Sequence, residues 1–218
     1  MSVPRILLLG AGAHARVILD ALHAGGLKAG GCLSPVAPER GWPQDVGWLG
    51  EDDQLAELSP DDWHLMNGVG SIGDTGTRMR VFLRASQYGF FFMTLRHPSA
   101  VVARDVAIGE GSQVMAGAIV QTGARLGRNV VINTGAIVDH DAEIADHVHI
   151  APGVTLSGGV TIGEAAHIGT GAVVRQGVVI GAGAVIGVGS VVIKNVPAGM
   201  CHVGNPARPL ARRGQRTR

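Results

Sequence analysis

From residue 102 onward the hydrophobic positions obey one rule: an aliphatic side chain falls at every sixth place without interruption. The series runs Val102, Ile108, Val114, Val120, Leu126, Ile132, Val138, Ile144, Ile150, Leu156, Ile162, Ile168, Val174, Ile180, Ile186 and Val192, sixteen hits in one register. Three places after them glycine recurs ten times, as at Gly111, Gly117, Gly123 and Gly135, and Asp105, Asn129, Asp141 and Asn195 fill four more slots. These residue types tolerate a left-handed backbone at a corner. Two places before each aliphatic position sits Val, Ala or Ser, small enough to point inward beside it.

Each hexad is therefore a short strand and a turn. Three hexads close a triangular coil of eighteen residues, with parallel strands stacked about 4.8 Å apart. Sixteen hexads make five and a third coils, a prism roughly 25 Å long. The period itself leaves the hand of the coil open.

Before residue 98 the pattern differs in kind. Arg5 to Gly10 predicts a strand, and Gly10-Ala11-Gly12-Ala13-His14-Ala15 opens a helix that runs to about His23. Gly31-Cys32-Leu33, Leu65-Met66-Asn67 and Phe90 to Leu95 are strand-like, and Thr77 to Tyr88 is helical. That alternation predicts a small α/β domain of βαβ type with a parallel sheet. The expected organisation is a βαβ domain over 1–97, an all-β parallel β-helix over 98–195 and a short irregular tail over 196–218.

Composition supports this and narrows the partners. The 34 glycines, set against only 4% aromatic residues, mark a backbone that needs glycine for conformational reasons. A net charge of +1 gives no case for nucleic acid or an anionic membrane; the local excess from Arg208 to Arg218 is expected to be a solvated tail. Cys32 and Cys201 match no disulfide or metal spacing, and Ile6-Leu7-Leu8-Leu9 is too short to cross a bilayer. The expected compartment is the cytoplasm.

The glycine-rich turn has the strand-to-helix context in which backbone N–H groups hold a phosphate. As a dinucleotide fingerprint it fails, because Leu33 and Ser34 stand where an acidic residue would hold a ribose. A nucleotide pyrophosphate site and a plain tight turn both remain open here. Within the prism, His140 lies two places after Val138 and so points out at a corner, between Thr122 one coil earlier and Gly158 one coil later. Asp141 follows it, either orienting the ring or merely filling the turn. His147 holds the same turn slot and is expected to be structural. His149 and His167, eighteen apart, stack on one wall opposite the His140 corner. A pocket using both His140 and His149 must lie between two copies of the chain, as in a closed ring of three. Asn133 is a candidate donor to an oxyanion. No metal is expected, since histidine spacings of nine and eighteen do not match the zinc-binding β-helices of γ-class carbonic anhydrases.

Together these residues resemble the bacterial sugar acetyltransferases, the family of UDP-amino-sugar N-acetyltransferases and sialic acid O-acetyltransferases. The resemblance rests on Leu9-Gly10-Ala11-Gly12-Ala13-His14-Ala15-Arg16, Ile132-Asn133-Thr134-Gly135, His140-Asp141, His149 and Gly204-Asn205-Pro206-Ala207-Arg208. It implies a left-handed β-helix, a homotrimer, and three active sites between subunits. It further implies acetyl-CoA as donor and a nucleotide-activated amino sugar as acceptor, with His140 as general base and Asp141 raising its basicity. His149 would then contact acetyl-CoA near the thioester, with His167 stacked beside it, and Thr170 and Val188 would meet the pantetheine. Gly12, Ala13, His14 and Gly70 match the sugar-nucleotide site, although Ala13 replaces a glycine usual in this turn. No acidic pair follows the second strand, which leaves the nucleotide base open. Two rival readings keep the fold: O-acetylation of a sialic acid or similar hydroxyl, and a non-enzymatic trimeric scaffold that binds sugar.

Overall fold

The computed structural model describes residues 4–38 and 41–210. The tail from residue 211 on, which includes most of the basic stretch, lies outside the described residues. The first part of the chain forms three parallel strands, β1 (Arg5–Leu9), β2 (Ala29–Leu33) and β3 (Trp63–Asn67), in the order β2-β1-β3. β1 is apolar without alternation because it is the central strand and both of its faces are covered. Helix α1 (Ala13–Ala24) buries Ala15, Ile18, Leu19 and Leu22, a 3.6-residue stripe, on one side of the sheet. Helix α2 (Gly76–Gln87) buries Arg78, Phe82 and Ala85 on the other.

The remainder is the predicted prism. Its first wall stacks Leu95–Arg96, Gln113–Val114, Val131–Ile132, His149–Ile150, His167–Ile168, Val185–Ile186 and Cys201–Val203. The second runs from Val101–Val102 to Val191–Val192, and the third from Ala107–Ile108 to Val179–Ile180. Rungs pair eighteen residues apart in exact register, for example His149 with His167 and Ile150 with Ile168. Every Phe, Trp and Tyr precedes residue 98, so the prism core is built of Ala, Val, Ile and Leu, with Ser112 and Ser190 in two inward slots. Narrow triangular coils hold branched aliphatic side chains and exclude rings.

Three details depart from the sequence reading. Leu95–Arg96 already pairs with Gln113–Val114, so the first rung precedes Val102. After residue 196, where an irregular tail was expected, Cys201–Val203 pairs with Val185–Ile186 and with Arg208–Pro209 in a hairpin. At the corners, Asn129, Asp141 and His147 take positive φ as expected, and so does Ala165 at 56°, while Asp105 and Asn195 do not. Among the described residues no helix is long and apolar enough to cross a membrane.

Candidate active site

His140 occupies the corner between the second and third walls, two residues past the strand Ile137–Val138. Its side chain is half exposed, and Nδ1 lies 2.8 Å from Asp141 Oδ2. The left-handed backbone of Asp141, φ 56°, turns that carboxylate back onto the preceding ring. The hydrogen bond to Asp141 raises the pKa of His140, and the charge of Asp139 adds to the effect. The ring rests over Gly158 in the next coil, where any Cβ would collide with it. His140 is thus a solvent-accessible imidazole whose Nε2 is free, whose Nδ1 is tied, and whose basicity is raised, the arrangement a general base requires.

The N-terminal domain packs against the outside of the first wall and creates a polar seam. Thr75 Oγ1 donates to the Ala165 carbonyl at 2.9 Å, and Phe82 meets the edge of His147. His149 and His167, one above the other in successive coils with their rings edge to face and centroids 5.0 Å apart, are only 5% and 7% exposed in this chain. The loop after β3 covers them, and the hydroxyl of Ser71 meets His149 Nδ1. On the other side Asn133 Nδ2 lies 3.2 Å from His149 Nε2. Asn133 Oδ1 already accepts the N–H of Thr134, so its amide nitrogen must face the ring. His149 is therefore neutral, with Nε2 accepting from Asn133 and Nδ1–H donating to Ser71. Burial in the seam, with His167, Arg78 and His14 around it, pushes His149 down to about 2.

Arg78 is 1% exposed. Its Nη1 donates to the carbonyls of Asn67 and Val69, at 2.8 and 2.9 Å, while Nε and Nη2 have no partner. Among the described residues no carboxylate pairs with it, and burial lowers its pKa to about 9. An unanswered buried cation is costly. Its charge adds to burial, the larger cause, in keeping His14 and His149 neutral.

A cavity of about 500 Å³ opens at the N-terminus of α1. Gly10, Gly12 and Ala13 form one side, Ser34 to Pro38 and Trp42 the other, and Arg16 supplies a positive charge. Gly12, the N-cap of α1, would meet nothing within 4 Å if it carried a Cβ, so the cavity is open at that point. Gly70 backs onto His14, whose Cβ lies 3.2 Å from where a Gly70 side chain would begin.

Comparison with known proteins identifies the family of the fold. Residues 5–85 match the PglD N-terminal domain, and residues 123–158 match the bacterial transferase hexapeptide repeat. The acetyltransferase domain of PglB from Neisseria gonorrhoeae, in complex with acetyl coenzyme A, is 37% identical over 96% of this chain and 100% of that one, with a TM-score of 0.87. PerB from Caulobacter crescentus, in complex with CoA and GDP-perosamine, is 34% identical over 96% and 99%, with a TM-score of 0.88. The chain belongs to the hexapeptide-repeat sugar acetyltransferases. WeeI from Acinetobacter baumannii AYE is 27% identical over 95% and 100%, with a TM-score of 0.82. No curated protein sequence matches significantly. The prism of this acetyltransferase is thus the left-handed β-helix of the superfamily.

Within one copy the acetyltransferase gathers Gly12, Ala13, His14 and Gly70 at one end of the seam, and Asn133, His149 and His167 at its middle. Thr170 and Val188 stack at the corner beside it, Val188 being 77% exposed and Gly189 N–H donating to the Thr170 carbonyl. His140 and Asp141 stand apart, across the prism. Sequence reasoning missed Ser71, Gln113, Asn67 and Arg78. Only Arg78 carried a local signal, for it stands four residues before Phe82 on the apolar stripe of α2.

The seam makes stability depend on pH. His14 and His149 titrate near 6.5 when unfolded but are held down to about 4 and about 2 in the fold, chiefly by burial. Below 6.5 the unfolded chain therefore binds more protons. Stability, full above that value, falls with pH by about 1.4 kcal/mol per unit for each imidazole that stays neutral. The melting temperature is expected to drop from pH 7 to pH 5, and to drop less in His149→Asn. A pH-independent melting curve would show that the rings protonate in place.

Proposed function

We propose that the protein transfers an acetyl group from acetyl-CoA to the amino group of a nucleotide-linked amino sugar, at a site shared by two subunits of a trimer in the cytoplasm. The carrying observation is the His140–Asp141 pair, a raised and accessible base placed across the prism from the seam where His14, Gly70 and His149 meet. A ring of three sets the corner of one copy against the seam of the next. The second wall offers an apolar face for such packing: its outward slots hold Val101, Ile119, Ile137, Thr155, Val173 and Val191, with Val101 63% exposed.

In this reading the nucleotide fills the cavity at α1, its diphosphate on the backbone N–H groups of the turn and Arg16, and the sugar extends past His14 and Gly70. Acetyl-CoA lies along Thr170 and Val188 with its thioester near His149. The amine lone pair attacks the thioester carbonyl while His140 Nε2 takes the amine proton, and Asp141 steadies the imidazolium through Nδ1–H. One amide hydrogen of Asn133 holds His149, and the second is available to the oxyanion. The tetrahedral intermediate collapses, the C–S bond breaks, and CoA leaves as the thiol with the proton returned by His140. No cysteine takes part, so transfer is direct.

The test is thiol release from acetyl-CoA with a panel of UDP- and GDP-linked amino sugars and CMP-sialic acid. Turnover with an amino sugar and formation of an amide are expected. Turnover only with hydroxyl acceptors would replace the reading by O-acetylation, and the absence of acetyl-CoA binding would end it.

A further inference from the structure

One imidazole of the seam has its proton placed by the backbone. The carbonyl oxygen of Asn67, at the end of β3, can only accept, and Gln113 Nε2 lies 2.9 Å from it. The amide of this fully buried glutamine is thereby oriented, and its Oε1 must be the atom 2.9 Å from His14 Nε2. An amide oxygen accepts, so His14 Nε2 carries the hydrogen and Nδ1 carries the lone pair. Nδ1 makes no hydrogen bond and is not among the unpartnered atoms sealed from solvent, so its lone pair is left for a donor from outside the chain, on a ring that directly follows Gly12 and Ala13 of the α1 cavity. A second proton on this ring would add a positive charge within reach of the buried guanidinium of Arg78 on α2 and of His149 on the first wall. Burial and that charge hold His14 down to about 4.

We propose that His14 recognises a hydroxyl of the acceptor sugar through Nδ1 and does not bind the diphosphate, with Gln113 of the first wall as the positioning residue that sets its tautomer. Phosphate oxygens at neutral pH present lone pairs, which a lone pair repels; a sugar hydroxyl presents a hydrogen. The diphosphate is left to the turn N–H groups and Arg16, while His14 distinguishes sugars by what they offer beyond it. This assignment rests on the nucleotide-sugar reading above and adds the chemical group that one residue reads.

Two measurements test it. Long-range ¹H–¹⁵N spectra of histidine-labelled protein without ligand, with His14 assigned from His14→Asn, are expected to show a neutral Nε2–H ring from pH 8 to pH 5. A ring that titrates near 6.5, or carries its hydrogen on Nδ1, overturns the proposal. In kinetics, His14→Ala is expected to raise KM for the nucleotide sugar about tenfold, as loss of one neutral hydrogen bond does, and leave inhibition by UDP or GDP alone unchanged. His14→Asn, which returns an acceptor near the Nδ1 position, should recover most of the loss, and Gln113→Leu should reproduce the rise in KM. Tenfold weaker inhibition by the free diphosphate in His14→Ala would place His14 on the phosphates and overturn this inference alone. A wild-type protein that binds neither UDP nor GDP would overturn the nucleotide reading and the sugar assignment with it, whatever the spectra show.

Discussion

Replacing His140 by Ala is expected to lower kcat by about 10²–10⁴-fold, the contribution of a placed general base, with KM for acetyl-CoA changed by less than about threefold. The ring is half exposed, its Nε2 is free, and it makes no contact that the prism needs for stability, so its loss should leave the fold intact. Asp141→Asn separates the two parts of the claim. A base works only when neutral, and Asp141 raises the pKa of His140, so activity climbs with pH through a value above 6.5. Without the carboxylate the imidazole returns toward its ordinary value. The acidic limb of the kcat profile should then move to lower pH while the plateau falls. Thiol release followed at saturating substrates across pH 5–9 reads both effects. Activity in His140→Ala within tenfold of wild type would remove His140 from the chemistry.

What could be read from the sequence divides along a physical line. The hexads were legible because each slot has a local steric requirement: an aliphatic side chain on the inner face, and a residue tolerant of positive φ at the corner. Ala165 shows the limit, since alanine takes that conformation at 56° with no composition signal, held by its ladder bonds to the coil before. The His140–Asp141 pair was legible for the same reason, as adjacent residues at an outward corner. The seam was not. The period places Gln113, His149 and His167 on the outer face of the first wall, and nothing within six residues says that a domain lies against that face. Ser71 meets His149 across 78 residues, and His14 meets Gln113 across 99. Contacts of that span leave no pattern in one sequence. Their trace is indirect: Gln113, His149 and His167 interrupt the outward slots of the first wall, where the second wall has Val and Ile at all but Thr155.

Two variants that are each inactive should restore activity when combined. Gly12→Asp is expected to abolish acceptor binding without disturbing the fold. The residue has an ordinary φ of −82°, a Cβ there meets nothing within 4 Å, and the added carboxylate would stand where the diphosphate binds. His140→Ala removes the base. If each site takes its nucleotide turn from one subunit and its base from the next, four ordered chain pairings are possible, and one of them has both elements intact. Every trimer that contains both variants has one interface of its three with both elements intact, and so about a third of wild-type activity. If instead turn and base of the same chain act together, mixing restores nothing, because every chain lacks one of them. Co-expression of the two variants with different tags, followed by tandem purification, gives the mixed population for the thiol assay. A result near zero would place the whole site within one chain and refute the shared-site arrangement. The arithmetic is decisive because the prism holds His140 and the first wall on opposite sides of a rigid aliphatic core, so no loop movement can bring the pair together in one copy.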